Sequence, residues 1–519
     1  MALNTTDALY VRDQLHKIDQ AIAQTEETLA ELHERLDTYT RRRDTQVKTR
    51  KSCAALLSPL RDFPVELLGH IFMFAYEESR RMRWTVSQVC RRWRRVAISM
   101  SELWTAALMP LTLFYDGLSD DKEQEYVETC ILRSNSRRMK WECWEDQDYE
   151  ISGHTKLMSP ALRRAPCEEL TWTSRGRGDE TILEVLHQVL PDIVASSSES
   201  LQSMTIRTTD PEEHWWAARR PPGLMLLPLH EFTRLRKLHL STLHPVLRNS
   251  LSVRWANITD ISIEAPLASY PLIQDVLIDC CALEYCAFNI LRLEDTPWDA
   301  YSGHIVLQQL RKLHLNSLRP ELFYRILDTL QAPALTDLIV ESKRFSEFGP
   351  IPLQKFLSYC SYTLRRLWIA PIFGHEIQDI IGPMVPLLEE LGVMLHRNHE
   401  EDPLDALLPS IHKETLLPHL RALTVVSLPS SEVHACFMTV VRDRGLKPNH
   451  DGPFNHNSPR LRHMRLYQHD PNWDFDLETE QEWQEVGSDY FDIRFARVER
   501  EFKANFLTSL EWPITKYET

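Results

Sequence analysis

Apolar residues near the N-terminus recur at alternating spacings of three and four. Leu15, Ile18, Ile22, Thr25, Leu29, Leu32, Leu36 and Tyr39 keep that order without a break, and Ala8 and Val11 extend it upstream. Glu, Gln, Asp and Arg fill most positions between them. A seam repeating every 3.5 residues predicts a coiled-coil or long amphipathic helix over residues 1–52. Neither Pro nor Gly interrupts residues 3–58. Two readings of the seam stay open. It pairs with another helix, a homodimer included, or one helix folds back on the rest of the chain. The stretch Arg41, Arg42, Arg43, Lys48, Arg50 and Lys51 is a solvated helix end or a nuclear-import signal.

Residues 56–106 change pattern. Pro64 suits the first position of a helix, where its missing N–H costs nothing. Glu66 is placed to reach back to an uncapped amide. Leu67, Leu68, Ile71, Phe72 and Ala75 then line a helical stripe. Thr85 and Gln88 make a second capping-box pattern, followed by Val86, Val89 and Cys90. Trp93, Val96 and Ala97 continue the apolar face past Arg91, Arg92, Arg94 and Arg95. Three short helices are expected. So small a unit has too little interior for all these large side chains, which points to a partner surface.

Residues 107–165 read as a connector in which Trp141, Cys143 and Trp144 pack locally. Over residues 166–515 a pattern of the form L-x-x-L-x-L recurs, starting at Leu235, Ile258, Leu283, Leu310, Leu335, Leu364, Leu388, Leu420 and Leu461. Weaker copies start at Cys167, Leu201 and Leu507. The spacing lies near the ~20–29 residues of leucine-rich repeats, and helical stretches such as LFYRILDTL fall between copies. The expected fold is therefore an α N-terminal part followed by an α/β leucine-rich-repeat-like solenoid with a parallel sheet. Leu243, Leu318 and Leu428 stand where the repeat consensus has Asn, so the repeats are degenerate. An ordinary α/β domain with leucine-rich strands is the alternative.

Alternation along each strand picks out a second face: Lys237, His239, Asp260, Glu264, Lys312, His314, Asp337, Glu341, Arg366, Trp368, Glu390, Arg465 and Tyr467. One reading of it is a cross-strand charge ladder. The other is a target-binding surface centred on an exposed Trp368, with Arg366 and Tyr467 as further anchors.

Composition narrows the chemistry. The chain has 519 residues, enough for more than one domain, and a formal net charge of -15. An acidic chain lacks the basic footprint of a general nucleic-acid binder. No apolar run approaches the ~18 residues that span a bilayer, and the N-terminus lacks a signal-peptide layout. The 10 cysteines form no C-x-x-C pair, and glycine numbers only 14. Neither phosphate-binding glycine loops nor the common hydrolase motifs occur. The expectation is a protein of the cytoplasm or nucleus, without metal, cofactor or catalytic residues, that binds neither nucleic acid nor membrane.

FPVELLGHIF, VCRRW and Leu103-Trp104 follow one another in the order and spacing of the F-box, which this segment resembles. Phe63 stands where Leu is commoner, and EESRRMRW replaces the usual middle stretch. A heptad helix, then K-S-x-x-x-x-L-S-P-L-R, then these motifs is similar to the large F-box family of basidiomycete fungi. The resemblance implies a substrate-recognition adaptor of an SCF-type ubiquitin ligase, bound to a Skp-type adaptor and through it to a cullin. It implies no catalysis by this chain. The implied adaptor-binding residues are Pro64, Leu67, Leu68, Ile71, Phe72, Val89, Cys90 and Trp93, about half of which must also form the module's own core. The partner at the other end is a protein substrate. The alternative is a protein-binding scaffold outside any ligase.

Overall fold

The computed structural model describes residues 5–56, 63–79, 82–109, 120–146, 160–175, 179–208, 227–241, 252–268, 270–293, 304–317, 320–342, 351–372, 384–395, 417–427, 463–468 and 492–497. Contacts divide the chain into two units, Met1–Leu103 and Trp104–Thr519.

In the first unit, α1 runs from Thr5 to Leu56. Asp13 and Lys17 pair across one turn at 2.6 Å, and Thr25, Thr28 and Thr38 donate their hydroxyls to carbonyls four residues back. Three short helices follow: α2 (Val65–Glu78), α3 (Met82–Val89) and α4 (Arg91–Ser99). Their boundaries correct two expectations. Pro64 precedes α2 as its cap, with φ -53° and ψ 142°, and its carbonyl accepts from the Leu68 amide at 3.1 Å. Among the described residues no side-chain hydrogen bond caps this end, so Glu66 does not close a capping box. Thr85 lies inside α3, which starts at Met82, and so is not a cap.

The second unit is built on a sheet of fourteen described strands, all parallel and ordered as they occur along the chain. The nine clear copies of the leucine pattern each begin two residues before a strand. Examples are the strands Lys237–Ser241, Asp260–Ala268, Lys312–Ser317, Asp337–Ser342, Arg366–Ile372, Glu390–Leu395 and Ala422–Ser427. The copies at Cys167 and Leu201 lie at β3 (Cys167–Arg175) and β4 (Ser203–Thr208). The copy at Leu507 lies outside the described residues. Helices such as Pro320–Thr329 and Ile351–Cys360 join consecutive strands.

The segment expected as a connector, 107–165, instead carries strand residues of β1 (Ala106–Met109) and all of β2 (Met139–Asp146), with α5 (Asp120–Arg133) between them. These strands lack the leucine pattern, yet they supply the same inward positions. Ala107, Trp141, Leu170, Met204, Leu238, Ile261, Cys286, Leu313, Leu338, Leu367, Leu391 and Leu423 form one continuous in-register row, every member buried. A row shared by neighbouring strands pins the register, since a one-residue slip would turn the whole set to the other face. The carbonyl before each of several strands accepts two successive amides from the next, as Arg311 does from Thr336 and Asp337 at 2.8 and 3.0 Å.

Candidate adaptor interface and sheet face

In the helical module, adjacent residues of α2 take opposite roles. Leu68 and Phe72, four apart, are fully buried. Val86, Val96, Ala97 and Leu103 complete that core. The Phe72 ring packs against Trp93 with centroids 5.0 Å apart at 57°. Gly69 packs under the Met100 side chain: a Cβ there would sit 3.4 Å from its sulfur, an ordinary contact distance. Loops are tied down by arginines. Arg83 is buried and donates to the Leu103 carbonyl at 3.3 Å. Arg94 donates to the Ser87 carbonyl at 2.8 Å, and Arg92 to the Phe63 carbonyl. Cys90 caps α4, its sulfur accepting from the Trp93 amide at 3.4 Å.

One turn-face away, Leu67, Ile71 and Phe74 are 47%, 44% and 68% exposed. Spaced four and three apart, they form a single apolar stripe at helical period. Pro64, Val65, Val89 and Cys90 are exposed as well. Of the eight residues expected to dock the adaptor, Pro64, Leu67, Ile71, Val89 and Cys90 thus face solvent, Trp93 is half-buried, and Leu68 and Phe72 lie inside. Phe74 escaped the sequence reading, although its spacing from Leu67 and Ile71 was the available signal.

Residues 60–108 match the family model described as F-box-like. The chain carries an F-box-like domain. No curated protein matches the sequence. Among solved structures, that of a Bacteroides fragilis protein aligns with a TM-score of 0.31 and 11% identity, covering 63% of this chain and 74% of that one. A likeness that slight carries no argument. Leu103, at the end of the first unit, is fully buried in the F-box-like domain's core, and Trp104 begins the second unit, where the Arg133 guanidinium sits 4.4 Å above its ring.

On the sheet, the residues alternating with the buried row form a polar face. Lys140 and Glu169, in register, pair at 2.7 Å. Lys237 lies opposite Asp260 at 3.7 Å, and Arg366 opposite Asp337 at 2.9 Å. Charges of opposite sign on neighbouring parallel strands make a ladder, as one reading of the sequence expected. Further along the strands, the Glu264 carboxylate accepts from Ser241 at 2.9 Å and from Asn289 at 3.0 Å. His239 stands nearby with its pKa lowered, first by burial and then by the Arg207 charge, against a smaller opposing pull from Glu264. Glu341 is buried, with one carboxylate oxygen 3.8 Å from His314 Nε2.

Trp368 corrects an expectation. Strand alternation predicts an exposed anchor there, but Trp368 is 2% exposed and packs with Ala370, Ile339 and Met394. The reason is in the next strand, where Gly392 leaves the space that its ring fills. Arg366 is held partly buried by Asp337. The backbone of Tyr467 pairs with Val426 and Ala496, while its side chain lies outside the described atoms. Among the described residues, no group of three or more His, Cys, Asp or Glu is placed to hold a metal ion, and no helix is long and apolar enough to cross a membrane.

Proposed function

We propose that this chain is the substrate-recognition adaptor of an SCF-type ubiquitin ligase. Its F-box-like domain docks on a Skp-type adaptor and through it on a cullin, and the leucine-patterned unit carries a protein target. One observation supports this most. The domain fills its own core with Leu68, Phe72, Val86, Val96 and Leu103, and still leaves Leu67, Ile71 and Phe74 in water. Burying the exposed remainder of each in a partner contributes about 1 kcal/mol or more per side chain, set against the cost of association. Pro64, Val89 and Cys90 extend the surface. Leu68, Phe72 and Trp93 hold it in shape.

In this reading the chain catalyses nothing and needs no cofactor, because ubiquitin transfer belongs to other subunits. It works where they do, in the cytoplasm or nucleus. The parallel sheet lines a leucine-rich-repeat-like solenoid, whose polar face receives the target. Arg366 and Tyr467 belong to that surface, and Trp368 packs beside Arg366 on the same face, over Gly392.

Affinity capture of the Skp-type adaptor by the full chain tests the proposal. Leu67→Asp with Ile71→Asp should abolish recovery, since two charges would enter an apolar contact. Circular dichroism should be unchanged, because both side chains are exposed in the free chain. If wild type and double mutant recover the adaptor equally, or neither recovers it, the ligase reading fails and a scaffold outside the ligase replaces it.

A further inference from the structure

Among the described residues, nothing covers the apolar seam of α1. Val11, Leu15, Ile18, Ile22, Leu29, Leu32, Leu36 and Tyr39 are all between 45% and 63% exposed. Helices in proteins draw most of their stability from packing an apolar face, so a 52-residue helix with every described seam residue in water lacks its partner. Written as a heptad, Leu15, Ile22, Leu29 and Leu36 occupy the first core position, and Val11, Ile18, Thr25, Leu32 and Tyr39 the second. Thr25 is the one polar member. Its hydroxyl already donates to the Ala21 carbonyl at 2.7 Å, so burying it against another helix strands no donor.

We infer that α1 pairs with α1 of a second copy of this chain, parallel and in register. The flanking charges argue for that occupant and that direction. Side by side in parallel, the positions that meet across the seam are Gln14 with Asp19, Ala21 with Glu26, Thr28 with His33, and Arg35 with Thr40 of the other copy. None of these pairs joins like charges. An antiparallel pair that stacks Val11 on Leu36, Leu15 on Leu32 and Ile18 on Leu29 sets Asp19 of each copy against Glu26 of the other, two like-charge contacts along the seam. The seam ends after Tyr39: the next core positions are Arg43, Gln46 and Arg50, which are polar, and a parallel pair would set Arg43 against Arg43 and Arg50 against Arg50. A parallel pair therefore brings both F-box-like domains to the same end of the coiled coil, so one dimer presents two adaptor-docking surfaces together.

Light scattering on the full chain tests the pairing, and a cysteine variant tests its direction. At tens of micromolar, the mass should be twice 60.8 kDa. Ile22→Asp with Leu29→Asp should return it to one protomer. Because that variant also weakens the helix, Thr25→Leu provides the opposite test. It adds apolar burial on both copies and should lower the concentration of half-dissociation about tenfold or more. Because Cys53 of the same helix, Cys90 and Cys281 are exposed free thiols, the readout for Leu36→Cys is a disulfide that peptide mapping places between the two copies of residue 36 after mild oxidation. In the antiparallel alternative the two Leu36 positions stand roughly 38 Å apart, far beyond disulfide reach. A wild-type mass of one protomer, or of three or more, overturns the pairing. So does a half-dissociation concentration unmoved by Thr25→Leu. Absence of the new disulfide overturns the parallel direction. None of these readouts involves adaptor capture, so their failure leaves the ligase proposal standing.

Discussion

The indole of Trp368 lies against the backbone of Gly392 on the neighbouring strand, so close that a Cβ at Gly392 would fall 1.9 Å from the ring's Cε3. The contact exists only because residue 392 has no side chain. Gly392→Ala must therefore expel the ring or separate the strands. We expect a loss of about 1–3 kcal/mol, read as a lower Tm, with red-shifted tryptophan emission. A variant as stable as wild type would show that the ring has another place to go. Trp368→Ala should cost more, about 3–5 kcal/mol, through loss of a buried aromatic.

Phe72 and Phe74 sit two residues apart and should behave in opposite ways. Phe72→Ala removes a ring that is 1% exposed and packed on Trp93, and should destabilise the F-box-like domain by about 3–5 kcal/mol. Phe74→Ala should change stability by no more than about 0.5 kcal/mol while weakening adaptor capture. Chemical denaturation and pull-down of both variants check the contrast. Equal destabilisation would contradict the division of α2 into inner and outer stripes.

Asp337 and Arg366 form the most buried of the three ladder pairs described above, with side chains 15% and 27% exposed. A double-mutant cycle through Asp337→Asn and Arg366→Ala should give a coupling of about 0.5–1 kcal/mol. Zero coupling would mean that the ladder is only a geometric accident of register.

Burial pushes the Cys280 and Cys360 thiols up to about 12 from an ordinary value of 9.0. The folded state thus keeps protons that an unfolded chain loses. Their contribution to stability is complete below about pH 9 and is lost as pH rises toward 12. Melting curves across that window should fall with pH. At pH 8, iodoacetamide should label the exposed Cys53, Cys90 and Cys281 in the native protein, but Cys280 and Cys360 only after unfolding. Native labelling of Cys280 as fast as its neighbour Cys281 would refute its burial.

Local pattern was enough for much of the architecture. The heptad seam from Leu15 to Tyr39 marks α1 because its spacing is a property of one helix. The leucine copies mark nine strands, each two residues downstream, because every strand needs its own inward pair. VCRRW and FPVELLGHIF mark the F-box-like domain. Strands Ala106–Met109 and Met139–Asp146 went unread because Ala107, Trp141 and Cys143 do the work of leucines there, and nothing local distinguishes them from a packed connector.

Sequence alone thus determined the periodicities, and with them the helix, the helical module and the strand spacing. Tertiary structure decided which apolar residues are free to bind. Leu67 and Leu68 are the same residue type in adjacent positions, and only the placement of α2 against Val86, Val96 and Met100 buries one and exposes the other. Trp368 was expected at the surface because strand alternation put it on the polar face. Its burial depends on the missing side chain of Gly392, 24 residues further on and one strand over. Period is a short-range property of the backbone, whereas burial depends on neighbours that the chain brings together only when it folds.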